Sequence, residues 1–449
     1  MRPFADTALV DRGDLQGNIL RGYGFPHAAY VFLRVDDERS GRRLLERLLP
    51  GVTNAEPWTG DKPATTLNVA LTYAGLGALG APPDALAGFP EDFRLGMAAR
   101  AEQLGDTAHH APERWEAGLG TDQAHVLVML NAQEGAGLDD ALAELHAGIG
   151  GGGFGIVHEQ RAALLEGNRE HFGFSDGFAQ PAIKGDGVIA TPGQGTPEKD
   201  GEWSELPLGE FVLGYEDADA SKATAPSGPL GRNATYMVYR KLHQDVALFR
   251  NVLRRLSAGD SHREELLAAK IVGRWRDGTP IELSPDGSDR ERWTTAERIN
   301  DFRYEGDLDG RRCPIGAHVR RTNPRDALGW HGTRTRRHRM IRRGMPYGPP
   351  LPAEATADDE RDRGLVFVSF CASLARQFET VQAQWCADGN IFGLGDDKDF
   401  LIVEDDRDTA KMTIQGDPPY FLSPQPRLVT VRGGEYLLVP SVAGLATLV

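Results

Sequence analysis

The sequence predicts an α+β protein built from two domains of similar plan. Its 449 residues exceed the roughly 100–200 residues of a typical domain, so two large domains are expected. Within each half, short β-branched and aromatic runs alternate with amphipathic patterns, in the order strand, helix, strand and further strands. A stretch rich in Ala, Ser, Gly and Pro, residues 216–232, separates a domain at 1–220 from one at 232–449. This order is closer to a split βαβ plan than to a doubly wound sheet.

In the first half, three short runs have the character of strands. Residues 28–35 and 125–130 are rich in β-branched and aromatic side chains, and residues 66–73 alternate between apolar and polar ones. Residues 139–146 have apolar side chains at helical spacing. The glycine-rich segment 150–155 lacks the Lys-Ser/Thr of a phosphate-binding loop.

The second half opens in the same way. Residues 235–239 and 364–370 are predicted strands, and residues 428–439 are predicted to form a hairpin that turns at Gly433-Gly434. From 243 to 256, apolar residues share one face of a helix and arginines lie opposite. Residues 373–385 show a similar helical pattern.

Composition excludes several classes of protein. Lys plus Arg total 50 and Asp plus Glu total 65, so the net charge is −15 and a nucleic-acid partner is not expected. Cys313, Cys371 and Cys386 are scattered, without the spacing of a disulfide framework, a zinc knuckle or a covalent haem attachment. Residues 1–20 lack an apolar leader pattern and there is no run of 18 apolar residues, so we expect a cytoplasmic protein without a membrane partner.

One carboxylate lies in an unusual setting. Asp176 is flanked by Gly173 and Gly177 and by three phenylalanines in the run HFGFSDGF. Glycines allow close approach to a ligand, and phenylalanines that point inward would raise the pKa of the acid. Such an acid can carry a proton between two oxygen atoms near neutral pH. An ordinary Asp-Gly turn with core phenylalanines explains the same pattern.

A histidine in the second half has space beside it. His318 follows Gly316 and Ala317, and these small residues would let a flat cofactor pack against the imidazole. A neutral imidazole can bind iron through one ring nitrogen. The alternative is a partly buried histidine that only packs.

The segment around His318 is strongly basic. Residues 311–343 contain eleven arginines against the single acid Asp326. In an acidic chain this excess needs an anionic partner, which could be nucleic acid, the carboxylates or phosphates of a cofactor, or acidic groups of the same chain. The broken run RRGMPYGPP cannot continue a helix that reads nucleic acid.

Taken together, the motifs resemble the dye-decolorising peroxidases, in their larger cytoplasm-compatible subgroup. GFSDG at 173–177 is similar to that family's GFxDG motif, and GAHVRRTNPR at 316–325 to the segment of its proximal haem ligand. RRGMPYG at 342–348 resembles the segment of its distal arginine. Flanking segments such as DLQGNILRGYG and VTVRGGEYLLVPS extend the similarity, in order, over nearly the whole chain.

The resemblance implies a fold and a cofactor. The fold is α+β, with two ferredoxin-like domains whose antiparallel sheets are flanked by helices, and one haem b is bound by the C-terminal domain. His318 would be the axial iron ligand, with Asp176 and Arg342 as catalytic residues on the other side of the ring. Arg325 would neutralise a haem propionate. Leu365 and Phe367, which share one strand face, would line the peroxide side.

The implied activity is that of a haem peroxidase. Hydrogen peroxide would be reduced through an oxoferryl intermediate, and dyes, phenolics or similar organic donors would be oxidised by one-electron steps. Asp176 would move the proton of the peroxide, while Arg342 would stabilise the charge that develops as the O–O bond breaks. Since bulky dyes cannot reach a buried haem, Trp385 and Tyr347 are candidate surface radical sites. The chain would act as a monomer or a homo-oligomer.

Two other classes of protein stay open at this stage. One is a protein that handles haem or iron without significant peroxidase turnover. The other is a non-haem binding protein whose basic segment docks an acidic partner. Peroxide-dependent oxidation of a dye distinguishes the peroxidase from the first, and a Soret absorption band from the second.

Overall fold

The strands of the first half are neighbours in one antiparallel sheet. The computed structural model describes residues 10–150, 152–188, 190–403, 411–423 and 425–449. The sheet order in this half is β4-β1-β3-β2. The strands are β1 (His27–Val35), β2 (Thr65–Leu71), β3 (Val126–Ala132) and β4 (Phe154–Ala163). The helices are α1 (Gly17–Leu20), α2 (Glu38–Leu48), α3 (Tyr73–Ala78), α4 (Pro83–Ala87), α5 (Glu91–Leu95), α6 (Ala101–Leu104) and α7 (Gly135–Ile149).

The second half repeats this arrangement after a small pair of strands, β5 (Thr196–Pro197) and β6 (Trp203–Ser204). The later strands are β7 (Thr235–Gln244), β8 (Ile341–Arg342), β9 (Met345–Tyr347), β10 (Gly364–Cys371), β11 (Met412–Ile414), β12 (Tyr420–Leu422) and β13 (Val429–Val439). The helices are α8 (Val246–Leu256), α9 (Ser261–Val272), α10 (Arg290–Trp293), α11 (His318–Thr322), a π-helix (Ala375–Cys386) and α12 (Val442–Ala446). The order in the sheet is β13-β7-β10-β8, and β9 also pairs with β10.

Both halves therefore have the strand order of a ferredoxin-like unit, with the last strand beside the first and the third beside the second. The predicted α+β fold class is confirmed. Leu438 of β13 lies opposite Leu71 of β2, so the two units share one continuous sheet. The proposed boundary between domains at 1–220 and 232–449 stays a prediction, because a sheet that both units share does not mark where either one ends.

The two faces of the sheet bury different clusters. Alternate residues of β1 (Ala28, Tyr30 and Phe32) join a core with residues of β7 and β10, while the intervening ones (Ala29, Val31 and Leu33) pack with α2 and α7. Strands β4 and β9, at opposite ends of the sheet, are in contact. The sheet therefore curves around the first cluster.

Local signals explain where the longer helices begin. The side chains of Asp37, Asp245 and Asp260 accept a hydrogen bond from a backbone N–H of the first turn of α2, α8 and α9. In α8 the predicted apolar face is buried, as shown by Phe249 and Val252. Among the described residues, no helix is long and apolar enough to cross a membrane.

The predicted hairpin turn at Gly433-Gly434 is wrong. Strand β13 runs through both glycines, with a register shift between Val431 and Gly433. A side chain at Gly433 would collide with Leu119, and one at Gly434 with Met97. The glycines allow this close packing across the strand instead of a reversal of the chain. Strand β4 and helix α9 were not predicted.

Candidate active site

His318 is held by a buried carboxylate. The ring nitrogen Nδ1 of His318 lies 2.7 Å from Oδ2 of Asp399. Asp399 is buried, with 1% of the residue exposed. The other oxygen of Asp399 accepts a hydrogen bond from the N–H of Leu401 at 3.0 Å. Burial acts to lower the pKa of His318, but the Asp399 carboxylate more than offsets it and the net pKa is raised. With Nδ1 engaged, Nε2 is the nitrogen available for iron.

The fully buried side chain of Arg321 fixes this pair in place. Its guanidinium donates to the carbonyl oxygens of Trp385 and Asp397, both at 2.7 Å. The N–H of Asp399 donates to the carbonyl of Cys386 at 2.8 Å. Helix α11, the π-helix and the segment that carries Asp399 are therefore joined by hydrogen bonds that restrict the orientation of the imidazole.

Asp176 and Arg342 form a second, more open pair. Nη1 of Arg342 lies 3.9 Å from Oδ1 of Asp176, and the two side chains are 37% and 54% exposed. Asp176 lies in a tight loop in which Gly173 and Gly177 have φ values of +98° and +92°, a conformation that favours glycine. The N–H of Gly177 donates to Oδ1 of Asp176 at 2.6 Å.

The phenylalanines beside Asp176 do not enclose the acid as expected. Phe172 and Phe174 are buried and pack against Phe249 of α8, whereas the carboxylate of Asp176 is half-exposed. The loop is shaped by Glu170, whose carboxylate accepts hydrogen bonds from the N–H groups of Phe172 and Phe174 at 2.8 and 2.9 Å. The phenylalanines therefore anchor the loop in the core.

The two pairs interact electrostatically, and of their four residues only Asp176 comes from the first half of the chain. The charges of both Arg342 and Asp176 perturb the pKa of His318. Arg342 lies opposite Ser369 in the ladder between β8 and β10, so its side chain is on the same face as Phe367 and Leu365. The predicted catalytic residues thus act electrostatically on the predicted ligand, and the predicted lining residues share the sheet face of Arg342. Their individual roles stay predictions.

Comparison with known proteins places this arrangement in a family. Residues 14–163 match the model of the DyP dimeric alpha+beta barrel domain, and residues 216–392 that of the C-terminal domain of Dyp-type peroxidases. A dye-decolorizing peroxidase of Mycena epipterygia is 30% identical over 99% of this chain and 88% of its own length. The multifunctional dye peroxidase DyP2 of an Amycolatopsis species is 30% identical over 97% of this chain and 95% of its own.

This chain belongs to the dye-decolorizing peroxidase family. The structure agrees, since a fungal DyP-type peroxidase from Auricularia auricula-judae superposes with a TM-score of 0.86 at 26% identity, covering 99% of this chain and 100% of the other. A dye-decolorizing peroxidase in complex with 2,6-dimethoxyphenol gives a TM-score of 0.85 at 26% identity, covering 98% and 100%. The enzyme is thus a peroxidase of a haem-dependent family.

The residues present in this dye-decolorizing peroxidase fit a haem group. A histidine oriented by a buried carboxylate is the usual donor for haem iron. Several arginines act on one another electrostatically, among them the buried Arg274 and Arg325 and the partly buried Arg339. Burial, together with the positive charges of neighbouring guanidinium groups, lowers the pKa of Arg339 to about 9 and that of Arg274 to about 10. Such a cluster suits the two carboxylates of a haem.

Arg325 belongs to this cluster, but part of its guanidinium is committed. Nη1 donates to the carbonyl oxygens of Asn300 and Phe302 at 2.8 and 2.9 Å, and the group lies 3.9 Å above the ring of Phe302. Nε is buried without a hydrogen-bond partner among the described residues. Its role at a propionate stays a prediction.

Neither candidate radical site of the peroxidase lies on the surface, so that part of the prediction is wrong. Trp385 and Tyr347 are each 2% exposed. Trp385 is on the π-helix, its ring centroid is 4.9 Å from that of His338, and both residues line a surface cavity of about 200 Å³. The hydroxyl of Tyr347 donates to Asp362 at 3.1 Å. The sequence pattern could not show this burial, because aromatic residues are common both inside and outside proteins.

Several arginines of the basic segment contact acidic side chains of the same chain. Arg320 pairs with Asp307 at 3.1 Å, and Arg337 with Asp217 at 2.5 Å. Arg312 lies 2.9 Å from Glu282. These contacts correspond to the third of the anionic partners considered for the segment, acidic groups of the same chain.

Sequence reasoning missed three residues that shape the site. Asp399 is 81 positions beyond His318, and Glu170 precedes the GFSDG motif with no distinctive pattern. Gln180 follows the motif by three residues, and its amide contacts the backbone of Arg342. Only the position of Gln180 close to a motif was a usable signal.

Proposed function

We propose that this peroxidase binds one haem b per chain through Nε2 of His318 and oxidises dyes, phenolics or similar organic donors by one-electron steps. The proposal is carried by the His318–Asp399 pair, on which the charges of the Asp176–Arg342 pair act. The haem, when bound, supplies the iron that accepts hydrogen peroxide and holds its oxidising equivalents. The complex of a related peroxidase with 2,6-dimethoxyphenol supports a phenolic donor.

Asp176 and Arg342 act on the same peroxide molecule. The Asp176 carboxylate takes a proton from one peroxide oxygen and returns it to the other, which leaves as water. Arg342, 3.9 Å from that carboxylate, stabilises the negative charge that develops as the O–O bond breaks. Leu365 and Phe367, on the same sheet face as Arg342, provide an apolar wall that limits the access of water.

Dyes too bulky to reach a bound haem would require a route for electrons from the surface. Trp385 is the better candidate, because its backbone carbonyl is hydrogen-bonded to Arg321, three residues beyond His318. Its side chain also lines a surface cavity together with His338 and Arg334. We propose that Trp385 would relay an electron from a donor at this cavity when the haem, which would supply the oxidising equivalents, is bound.

The test begins with the absorption spectrum of the purified protein before and after it is mixed with peroxide. We expect a Soret band that changes within milliseconds, and turnover of both a phenol and an anthraquinone dye. Asp176→Asn should slow the spectral change by about 10²- to 10⁴-fold. Asp200→Asn is the control, because Asp200-Gly201 is an exposed Asp-Gly turn far along the chain from the motif. An unchanged rate in Asp176→Asn would remove that residue from its role.

The same measurements separate the alternatives. A Soret band without peroxide-driven turnover would favour a haem-handling protein, and a protein that takes up no haem would contradict the proposal altogether. Cytoplasmic location stays a prediction, which fractionation of the source cells with an antibody would test.

A further inference from the structure

Arg342 lies on a very short strand with one unpaired edge. The N–H of Arg343 donates to the carbonyl of Val368 at 2.8 Å, so the polar backbone groups of Arg342 point away from β10. No main-chain partner is described for them on that side. A strand edge in this position ordinarily leaves the N–H and C=O to water.

The side chain of Gln180 takes the place of a neighbouring strand. Its Oε1 accepts a hydrogen bond from the N–H of Arg342 at 3.1 Å, and its Nε2 donates to the carbonyl of the same residue at 2.8 Å. One planar amide thus makes both hydrogen bonds that a paired strand would make. Gln180 is only four residues beyond Asp176.

The segment between these two residues is also held from outside. The side-chain amide of Asn300 donates to the carbonyl of Phe178 at 2.5 Å. At the other end, the N–H of Asp176 donates to the carbonyl of Asn168 at 3.1 Å. The loop that carries the acid is therefore fixed before and after Asp176, and Gln180 is its direct link to the strand of the arginine.

We propose that Gln180 is a positioning residue that sets the distance between the carboxylate of Asp176 and the guanidinium of Arg342. The inference rests on the proposed peroxidase mechanism and adds a residue to it. Without the amide, the N–H of Arg342 would be left to water, its C=O would keep only the hydrogen bond from Nη1 of Arg343 at 3.2 Å, and the two-residue strand would lose one of its two neighbours. Because both groups must reach one peroxide molecule, a displacement of about 1 Å is costly for the reaction.

The test uses two substitutions in the haem-loaded enzyme. Gln180→Met keeps the length of the side chain and removes both hydrogen bonds, whereas Gln180→Glu keeps the acceptor for the N–H of Arg342 and loses the donor. The control is Gln133→Met, because Gln133 is also part-buried and donates to two backbone carbonyls, those of Lys62 and Pro63, in the N-terminal half. The measurements are the rate of the spectral change with peroxide, the dissociation constant of cyanide on the ferric enzyme, and the KM for the donor.

We expect Gln180→Met to react with peroxide about 10- to 100-fold more slowly and to bind cyanide more weakly, with an unchanged KM for the donor. Gln180→Glu should lie between it and the wild type, and Gln133→Met should match the wild type. A peroxide rate and cyanide affinity of Gln180→Met within twofold of the wild type would overturn the inference. If Gln180→Met does not fold, the peroxide rate and cyanide affinity of Gln180→Glu are compared with those of the wild type, and values within twofold would overturn the inference. A wild-type enzyme that fails to react with peroxide would instead remove the proposed function, and this inference with it.

Discussion

Replacement of Glu282 by glutamine should make the enzyme more stable at neutral pH. The side chain is buried, with 3% of the residue exposed, and its Oε1 accepts from Nη2 of Arg312 at 2.9 Å. Burial raises the pKa of Glu282 from 4.5 to about 8, and the nearby negative charge of Asp307 adds to this rise. Asp307 in turn accepts from the N–H of Cys313 at 3.0 Å, at the start of the segment that leads to His318.

The expected change in the free energy of unfolding follows from the difference in the proton affinity of Glu282 between the folded and unfolded chain. The unfolded chain loses this proton above pH 4.5, while the folded chain keeps it until about pH 8, so the free energy of unfolding falls as the pH rises between these values. Each tenfold difference in proton affinity is worth about 1.4 kcal/mol. Burial of Glu282, which must keep its proton in the folded state until about pH 8, therefore costs about 3 kcal/mol of stability at pH 7 and up to about 5 kcal/mol at pH 8 and above.

The assay is urea denaturation of the haem-loaded wild type and of Glu282→Gln at pH 5, 7 and 9. Glutamine imitates the neutral acid, since it still accepts from Arg312 and can donate to Asp307. We therefore expect little change at pH 5 and a gain of about 3 kcal/mol at pH 7. Glu144→Gln, at an exposed position, serves as the control. The free energy of unfolding of Glu282→Gln should keep the pH dependence that arises from Glu435, because burial raises the pKa of Glu435 to about 8 as well. Equal pH dependence in wild type and Glu282→Gln would refute this reasoning.

Three further outcomes concern the site itself. Arg342→Leu should slow the reaction with peroxide by about 10²- to 10³-fold without loss of haem, and full activity in stopped-flow mixing would exclude its charge-stabilising role. Asp399→Asn should raise the Fe(III)/Fe(II) midpoint potential by about 60 mV or more, because a less electron-rich His318 binds ferric iron less tightly. Potentiometric titration measures this potential, and an unchanged value would contradict the expectation. Trp385→Phe should lower turnover of an anthraquinone dye about tenfold or more and leave turnover of 2,6-dimethoxyphenol within about twofold. An equal loss of turnover for the dye and for 2,6-dimethoxyphenol would argue against electron transfer through Trp385.

The strongest sequence signals were local ones. Short runs rich in β-branched and aromatic residues predicted β1, β3 and β10 because such side chains pack well on a pleated sheet. Alternation predicted β2 and β7 because side chains on a strand point to opposite faces at every step. The apolar stripe of α8 was visible for the same kind of reason. The motifs around Asp176, His318 and Arg342 were recognisable because each is a contiguous stretch with its own composition. Gly433-Gly434 misled because a glycine pair is equally suited to a turn and to a crowded strand.

The amino-acid sequence by itself determined the class of fold and most of the longer strands, and its motifs singled out the three residues proposed for the site. Only the tertiary structure decided that Asp399 orients His318, that Gln180 bonds to the backbone of Arg342, and that Trp385 and Tyr347 are buried. The physical reason is that these contacts join residues far apart along the chain. They arise from strand register and helix packing, which no local pattern of residues contains.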